Sequence, residues 1–289
     1  MLIPQLALSG IQIGMLYALT AAGFALIFGA TRIFHVAHGA TFILAGYAFL
    51  KAMQLGLHWA LASLVSGVAA VTFGLLLDAL VYRPIQRHEG SFFTVFVASF
   101  GAGIAMQALI QFTFGGGFAT ISLPLTRVSE ILPGLYIAPV FWVAIAVTIV
   151  VFSAVHLMLE QTNAGLGLRA LAENPELLRA YGLSARRLQA LAFVLGSVLV
   201  VPGAVLTTMT TGIQPADGAH VMLVSLAATV VGGIGSIRGA ALSGLLLGLV
   251  ENLVVSVVDT QWSQAASFVV LFGFILFRPS GLMGRAGAR

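Results

Sequence analysis

The chain has 289 residues, 60% of them hydrophobic and only 8% charged, with a formal net charge of +4 and no cysteine. Soluble domains carry roughly a quarter charged residues, so this is the composition of a membrane protein. It excludes disulfides and thiolate metal sites. It also leaves no basic soluble face for nucleic acid, because the basic residues sit at the ends of apolar segments.

A spanning helix needs about 20 apolar residues. Apolar segments run over 4–29, 36–55, 58–82, 92–114, 136–159, 188–211, 219–233, 240–258 and 263–277. They predict an all-α polytopic membrane protein, a single transmembrane domain over 1–289 with eight to nine transmembrane helices. The run after Met1 has no basic leader and no small-residue cleavage site, so it reads as the first membrane helix. Segments 36–55 and 219–233 are short or interrupted by glycine. That is the pattern of broken or re-entrant helices, which persist only where protein or a water cavity covers the backbone.

In the first segment the row Gly10, Gly14, Ala18 and Ala22 lies on one helix face. Rows of this kind let helices approach closely in lipid, within the chain or between chains. The stretch Arg32-Ile-Phe-His35-Val-Ala-His38-Gly39 follows. Two histidines three apart could hold a metal, but no third ligand stands nearby. The other readings are a turn whose polar side chains satisfy freed backbone groups, and the inner end of a solute path.

Further along, polar residues extend small-residue rows at helical spacing. Asp78 follows Gly67, Ala70 and Gly74; Gln107 and Gln111 follow Ser99 and Gly103; Glu251 and Asn252 follow Gly244 and Gly248. Residues three or four apart share a face, so these side chains point into the protein. A charge at the bilayer centre costs about 2.5–3.5 kcal/mol or more, so such groups are paired or line water. Glu251 and Asn252 therefore read as pathway-lining or as a structural pair, and Asp78, five residues before Arg83, as an inner-interface residue.

Between Glu160 and Arg187 the chain leaves its apolar register. Asn174 is a good N-cap and Pro175 a good first helical residue. Glu176 puts negative charge where the helix dipole favours it, and Gly182 is a natural stop. Leu177, Leu178 and Tyr181 supply an apolar face. A helix of about two turns is unstable alone, so it packs on inner helix ends or on a partner. The basic residues set the orientation. Arg83 and Arg87, Arg169, Arg179, Arg186 and Arg187, and the tail Arg278, Arg285 and Arg289 share one side if there are nine spans. Arg32 and Arg238 join them, leaving Lys51 and Arg127 opposite. By the positive-inside bias that side is cytoplasmic, with the N-terminus outside. No enzyme constellation is visible. Lys51 is the one lysine and follows Leu50, so there is no phosphate-binding loop.

Three blocks resemble a known family, the membrane permeases of ATP-binding-cassette importers of the branched-chain amino acid type, which also handle related amides and urea. Gly14 to Gly29 with Arg32 to Gly39 is similar to its opening block. Arg169-Ala-Leu-Ala-Glu173-Asn174-Pro175-Glu176-Leu177-Leu178-Arg179-Ala-Tyr181-Gly182 is similar to its cytoplasmic coupling loop. Gly232 to Gly244 is similar to its late glycine-rich block. The family usually has asparagine where His35 stands, which points to a shifted substrate. The resemblance implies a transport permease that is no enzyme. It implies a bacterial-type plasma membrane, a second permease subunit, two cytoplasmic ATPase subunits and an external substrate-binding protein. No cofactor is bound directly; ATP and magnesium are used by the partner ATPases. Loop 160–187 would carry the coupling, with Arg32, His35, His38, Gln107, Glu251 and Asn252 on the path or gate. Two rivals make different use of the same residues: an ion-coupled secondary transporter titrating Asp78 or Glu251, and a membrane-embedded enzyme using His35 and His38.

Overall fold

The computed structural model describes residues 2–88, 90–121, 123–259 and 262–284; Arg285 and Arg289 of the basic tail lie outside them. The expected apolar segments are all helical: α1 (Leu2–Thr31), α2 (His38–Gln54), α3 (Trp59–Leu77), α5 (Phe92–Phe114), α6 (Pro139–Gln161), α9 (Ala185–Thr210), α10 (Asp217–Gly232), α11 (Ile237–Val254) and α12 (Ser263–Phe277). Among the described residues six helices are long and apolar enough to cross a membrane. The helices α2, α10 and α12, with 17, 16 and 15 residues, are shorter.

The central element is α1, about 45 Å long for its 30 residues. It is largely buried, whereas α5 and α6 turn most of their surface outward. The small-residue row of α1 is used within the chain. A Cβ on Gly248 would lie 2.3 Å from the Gly14 Cα, and one on Gly244 would lie 2.6 Å from the Ala18 nitrogen. Without side chains there, α1 and α11 pack backbone against backbone.

Three features depart from the apolar pattern. The third segment does not stop at 82: a π-helical turn (Asp78–Tyr82) carries it into α4 (Arg83–Arg87). Segment 136–159 starts as a helix only at Pro139, because Ser129–Leu132 (β1) and Leu135–Ile137 (β2) form an antiparallel hairpin before it. The polar stretch holds two helices, α7 (Asn163–Glu173), capped by Thr162, and α8 (Pro175–Ala180).

Neither α2 nor α10 is broken internally. What is unusual is where they begin. His38, the first residue of α2, donates from Nε2 to the Thr20 carbonyl at 2.8 Å. Thr20 lies 11 residues before the end of α1 at Thr31, about 16 Å along its axis. Residues 32–37 therefore climb back along α1 before α2 starts. The N-terminus of α10 meets that of α2 there: a Cβ on Gly39 would fall 1.9 Å from the Gly218 oxygen, so only glycine fits.

Candidate solute cavity and its polar floor

A cavity of about 530 Å³ opens between α1, α6, α9, α10 and the hairpin, with Phe118 and Tyr136 among its lining residues. Its walls are mixed. Leu16, Phe42, Val140, Phe141 and Val221 are apolar, while Gln12, Thr20, Thr207 and Thr210 are polar. Tyr17, Asp217 and His220 also line it. Helical spacing explains the last two: Asp217 and His220 are three apart in α10 and share a face.

Behind this surface lies a buried network. The Tyr17 hydroxyl donates to Glu251 Oε2 at 2.9 Å. Ser267 donates to Glu251 Oε1 at 2.6 Å. The Tyr17 oxygen is 2.9 Å from His220 Nε2. A phenol has one proton. With that proton given to Glu251, the Tyr17 oxygen accepts from His220 Nε2–H, which sets the imidazole tautomer. The network joins α1, α10, α11 and α12, and it gives Glu251, nearly fully buried, a partner for each carboxylate oxygen. Asn252 beside it donates from Nδ2 to the Gly248 carbonyl at 2.9 Å.

The residues singled out in Arg32–Gly39 lie elsewhere. His35 and His38 are fully buried and line neither cavity. His35 Nδ1 is 2.7 Å from the Tyr82 hydroxyl, which is 2.7 Å from Ser99 Oγ. Ser99 in turn accepts from the Ala37 N–H at 3.0 Å. This chain of bonds holds the climbing segment against α5 and the π-helical turn. His35 Nε2 and His38 Nδ1 are left without a protein partner. Arg32 is exposed, adopts a left-handed backbone (φ 58°), and lines a second cavity of about 900 Å³ with His156, Glu160, Arg169, Glu173 and Arg238. Gln107 is half-buried on α5 and lines neither cavity; Gln111, one turn on, is exposed. Asp78 is buried and pairs with Arg83, while accepting from Gln189 at 2.7 Å.

In the polar stretch the cap forms as the residue types predict. Asn174 Oδ1 accepts from the Glu176 and Leu177 N–H groups at 3.0 and 2.9 Å, and Gly182 follows α8 at φ 76°. Leu177 and Tyr181 are 54% and 78% exposed, but Leu178 is buried against its own chain, so the free apolar face is narrower than expected. Arg179 is the basic residue in the last turn of α8. Arg169 reaches Glu160 at 3.2 Å and Arg238 reaches it at 3.3 Å. These exposed pairs are worth at most about 1 kcal/mol each.

A helical bundle of long apolar segments, a half-open amphipathic cavity and buried polar pairs between helices together define a multi-pass membrane transport protein. The chain belongs to the family described as the branched-chain amino acid transport system permease component, whose profile matches residues 6–277. It is similar to the high-affinity branched-chain amino acid transport system permease protein BraD of Pseudomonas aeruginosa, at 29% identity over 97% of this chain and 95% of that protein. It is similar to the corresponding protein LivH of Escherichia coli, at 27% over 97% and 95%. The probable branched-chain amino acid transport permease LivH of Methanocaldococcus jannaschii matches at 24% over 93% and 89%. Among solved structures, a chain of PsaBC from Streptococcus pneumoniae in complex with Fab has a TM-score of 0.55 at 11% identity, covering 94% of this chain and 91% of that one. That likeness is one of fold.

Proposed function

We propose that this chain is the membrane subunit of an ATP-driven importer for branched-chain amino acids or related small amino acids and amides. The family match across residues 6–277 carries the reading, and the amphipathic cavity suits such a solute. In this reading two ATPase subunits bind and hydrolyse ATP with magnesium, and an external binding protein delivers the solute. A second permease subunit completes the pair in a bacterial-type plasma membrane. Nine crossings with the N-terminus outside put loop 160–187 in the cytoplasm, where α7 and α8 form the coupling element. A ligand shifts a two-state equilibrium only through its different affinity for the two states. ATP acts on the spans by that route, through the ATPase surface that grips α8.

The exposed Leu177 and Tyr181 supply the grip. Leu178 is unsuited to a test, because a charge there would unfold the loop itself. We expect Tyr181→Asp and Leu177→Asp to insert and fold, yet to lose ATPase association and ATP-dependent uptake in proteoliposomes. Wild-type ATPase stimulation by both variants would refute the coupling role.

A further inference from the structure

We propose that the half-open cavity between α1, α9 and α10 is a binding site for the transported solute, which recognises a primary ammonium group through Asp217 and His220. The inference rests on the transport reading above and adds which group of the solute is read, and by which residues.

The argument comes from counting donors and acceptors on the cavity floor. Asp217 engages one carboxylate oxygen, Oδ2, accepting from the Gln214 N–H at 2.9 Å. The carboxylate keeps acceptor capacity on the cavity wall. His220 spends Nε2–H on Tyr17 in the tautomer derived above, and no hydrogen bond within the chain occupies Nδ1, the acceptor nitrogen of that tautomer. The Tyr17 proton is committed to Glu251. Thr20 and Thr210 spend their hydroxyl protons on carbonyls of their own helices. The floor at Tyr17, Thr20, Asp217 and His220 therefore offers acceptors, while the unspent donors Gln12 and Thr207 line the walls away from it. A group with several N–H donors and a positive charge complements it. At that floor a carboxylate or keto group does not.

Position and shape agree with this. Tyr17 lies midway along α1, so the floor is near the middle of the bundle and the mouth is at the hairpin end. Leu16, Phe42, Phe141 and Val221 face the same space, next to the acceptors, and suit a short branched apolar side chain. A volume of about 530 Å³ falls within the roughly 300–1,000 Å³ range of small-molecule sites. Glu251 and Ser267 do not reach the cavity. They are positioning residues that hold Tyr17, and through it His220, in the acceptor-presenting arrangement.

The test uses the purified full chain in lipid nanodiscs and radiolabelled L-leucine as the probe. Two competitors divide the solute's polar groups: 3-methylbutylamine keeps the ammonium group, and 4-methyl-2-oxopentanoate keeps the carboxylate. We expect leucine to bind, the amine to displace it, and the keto acid to fail. Asp217→Asn, whose amide oxygen still accepts from Gln214, should weaken leucine binding roughly tenfold or more, the loss of a charge-assisted hydrogen bond. Thr207→Phe, which fills the cavity without touching the floor, should weaken it as well. Wild-type affinity in Asp217→Asn, equal displacement by the keto acid, or no leucine binding by the wild type up to millimolar concentration would each overturn the site. ATP-driven uptake with the partner subunits separates the two readings. Uptake that is normal in wild type and unchanged in Asp217→Asn removes the site alone. No amino acid uptake by wild type removes the transport reading.

Discussion

The crossing of α1 and α11 gives a contest of opposite signs at two glycines. Replacing a helical glycine by alanine gains about 0.8–1 kcal/mol of helix propensity. At Gly67 on α3 the added Cβ meets nothing within 4 Å, so that gain should appear as added stability. At Gly248 the Cβ would sit 2.3 Å from both Cα and N of Gly14, where 3.4 Å is an ordinary contact. Backbone cannot swing aside as a flexible side chain can, so the helices must part by about 1 Å. Overpacking of this kind costs about 1–3 kcal/mol. The same movement stretches the 2.9 Å bond from Tyr17 to Glu251, which is worth about 1.5–3 kcal/mol as a bond to a charged group. The sum outweighs the propensity gain, and Gly248→Ala should be net destabilised by about 1.5–5 kcal/mol, the upper end if the bond is lost outright. Thermal unfolding in nanodiscs, followed by far-UV circular dichroism, should put Gly67→Ala at or above wild type and Gly248→Ala clearly below. If Gly248→Ala melts with wild type, or both alanines shift the midpoint equally, the close-packing argument is wrong.

Two further outcomes rest on buried polar groups. Ser99→Ala strands the buried Ala37 N–H and should cost about 1–3 kcal/mol in the same melting experiment, while Ser99→Thr, which keeps the hydroxyl, should recover most of it. Arg83→Met leaves the Asp78 carboxylate buried with Gln189 alone. The loss should be about 1–3 kcal/mol, below the 3–5 kcal/mol of a fully buried pair because the Arg83 side chain is 22% exposed. Adding Asp78→Asn to that variant should restore part of the stability, and a double variant less stable than Arg83→Met would contradict the pairing.

What could be read in advance follows from the range of the interactions involved. Apolar runs of membrane-spanning length report themselves locally, and so does the Asn174-Pro175-Glu176 helix start, whose cap bonds span two or three residues. The inward face of Glu251 was legible because the Gly244–Gly248 row marks the same side of the helix. The cavity floor was not. Tyr17 lies three residues after Gly14, beside the small-residue row of α1, but nothing in the sequence pairs it with His220, and their bond joins positions 203 apart. Leu177 and Leu178 look equivalent in a six-residue helix; only packing decides that one is exposed and the other buried. The third apolar run ends before the charged Arg83, and nothing local announces that the helix continues beyond it. The wide turn, in which the Arg83 N–H reaches the Asp78 carbonyl five residues back, carries the helix past it.

The re-entrant expectation for 36–55 and 219–233 has a physical outcome that neither segment contains alone. Both helices are regular, yet each is too short for the roughly 30 Å hydrocarbon core, and their N-termini meet inside the bundle at Gly39 and Gly218. That junction falls between the two cavities. The hairpin-side cavity follows α1 down to Thr20, and the other takes over at Ala25, only about 7 Å further along the helix. The intervening layer consists of His38 hydrogen-bonded to Thr20, the Gly39–Gly218 contact, and the edge-on stack of Phe24 with His38 and Phe34. In the transport reading proposed above, a solute passing from one cavity to the other would part this layer. It contains no ion pair, and its closest contact is backbone against backbone with no interlocked side chain. Packed cores ordinarily resist sliding because side chains interdigitate; a glycine–glycine junction has no side chains to interdigitate.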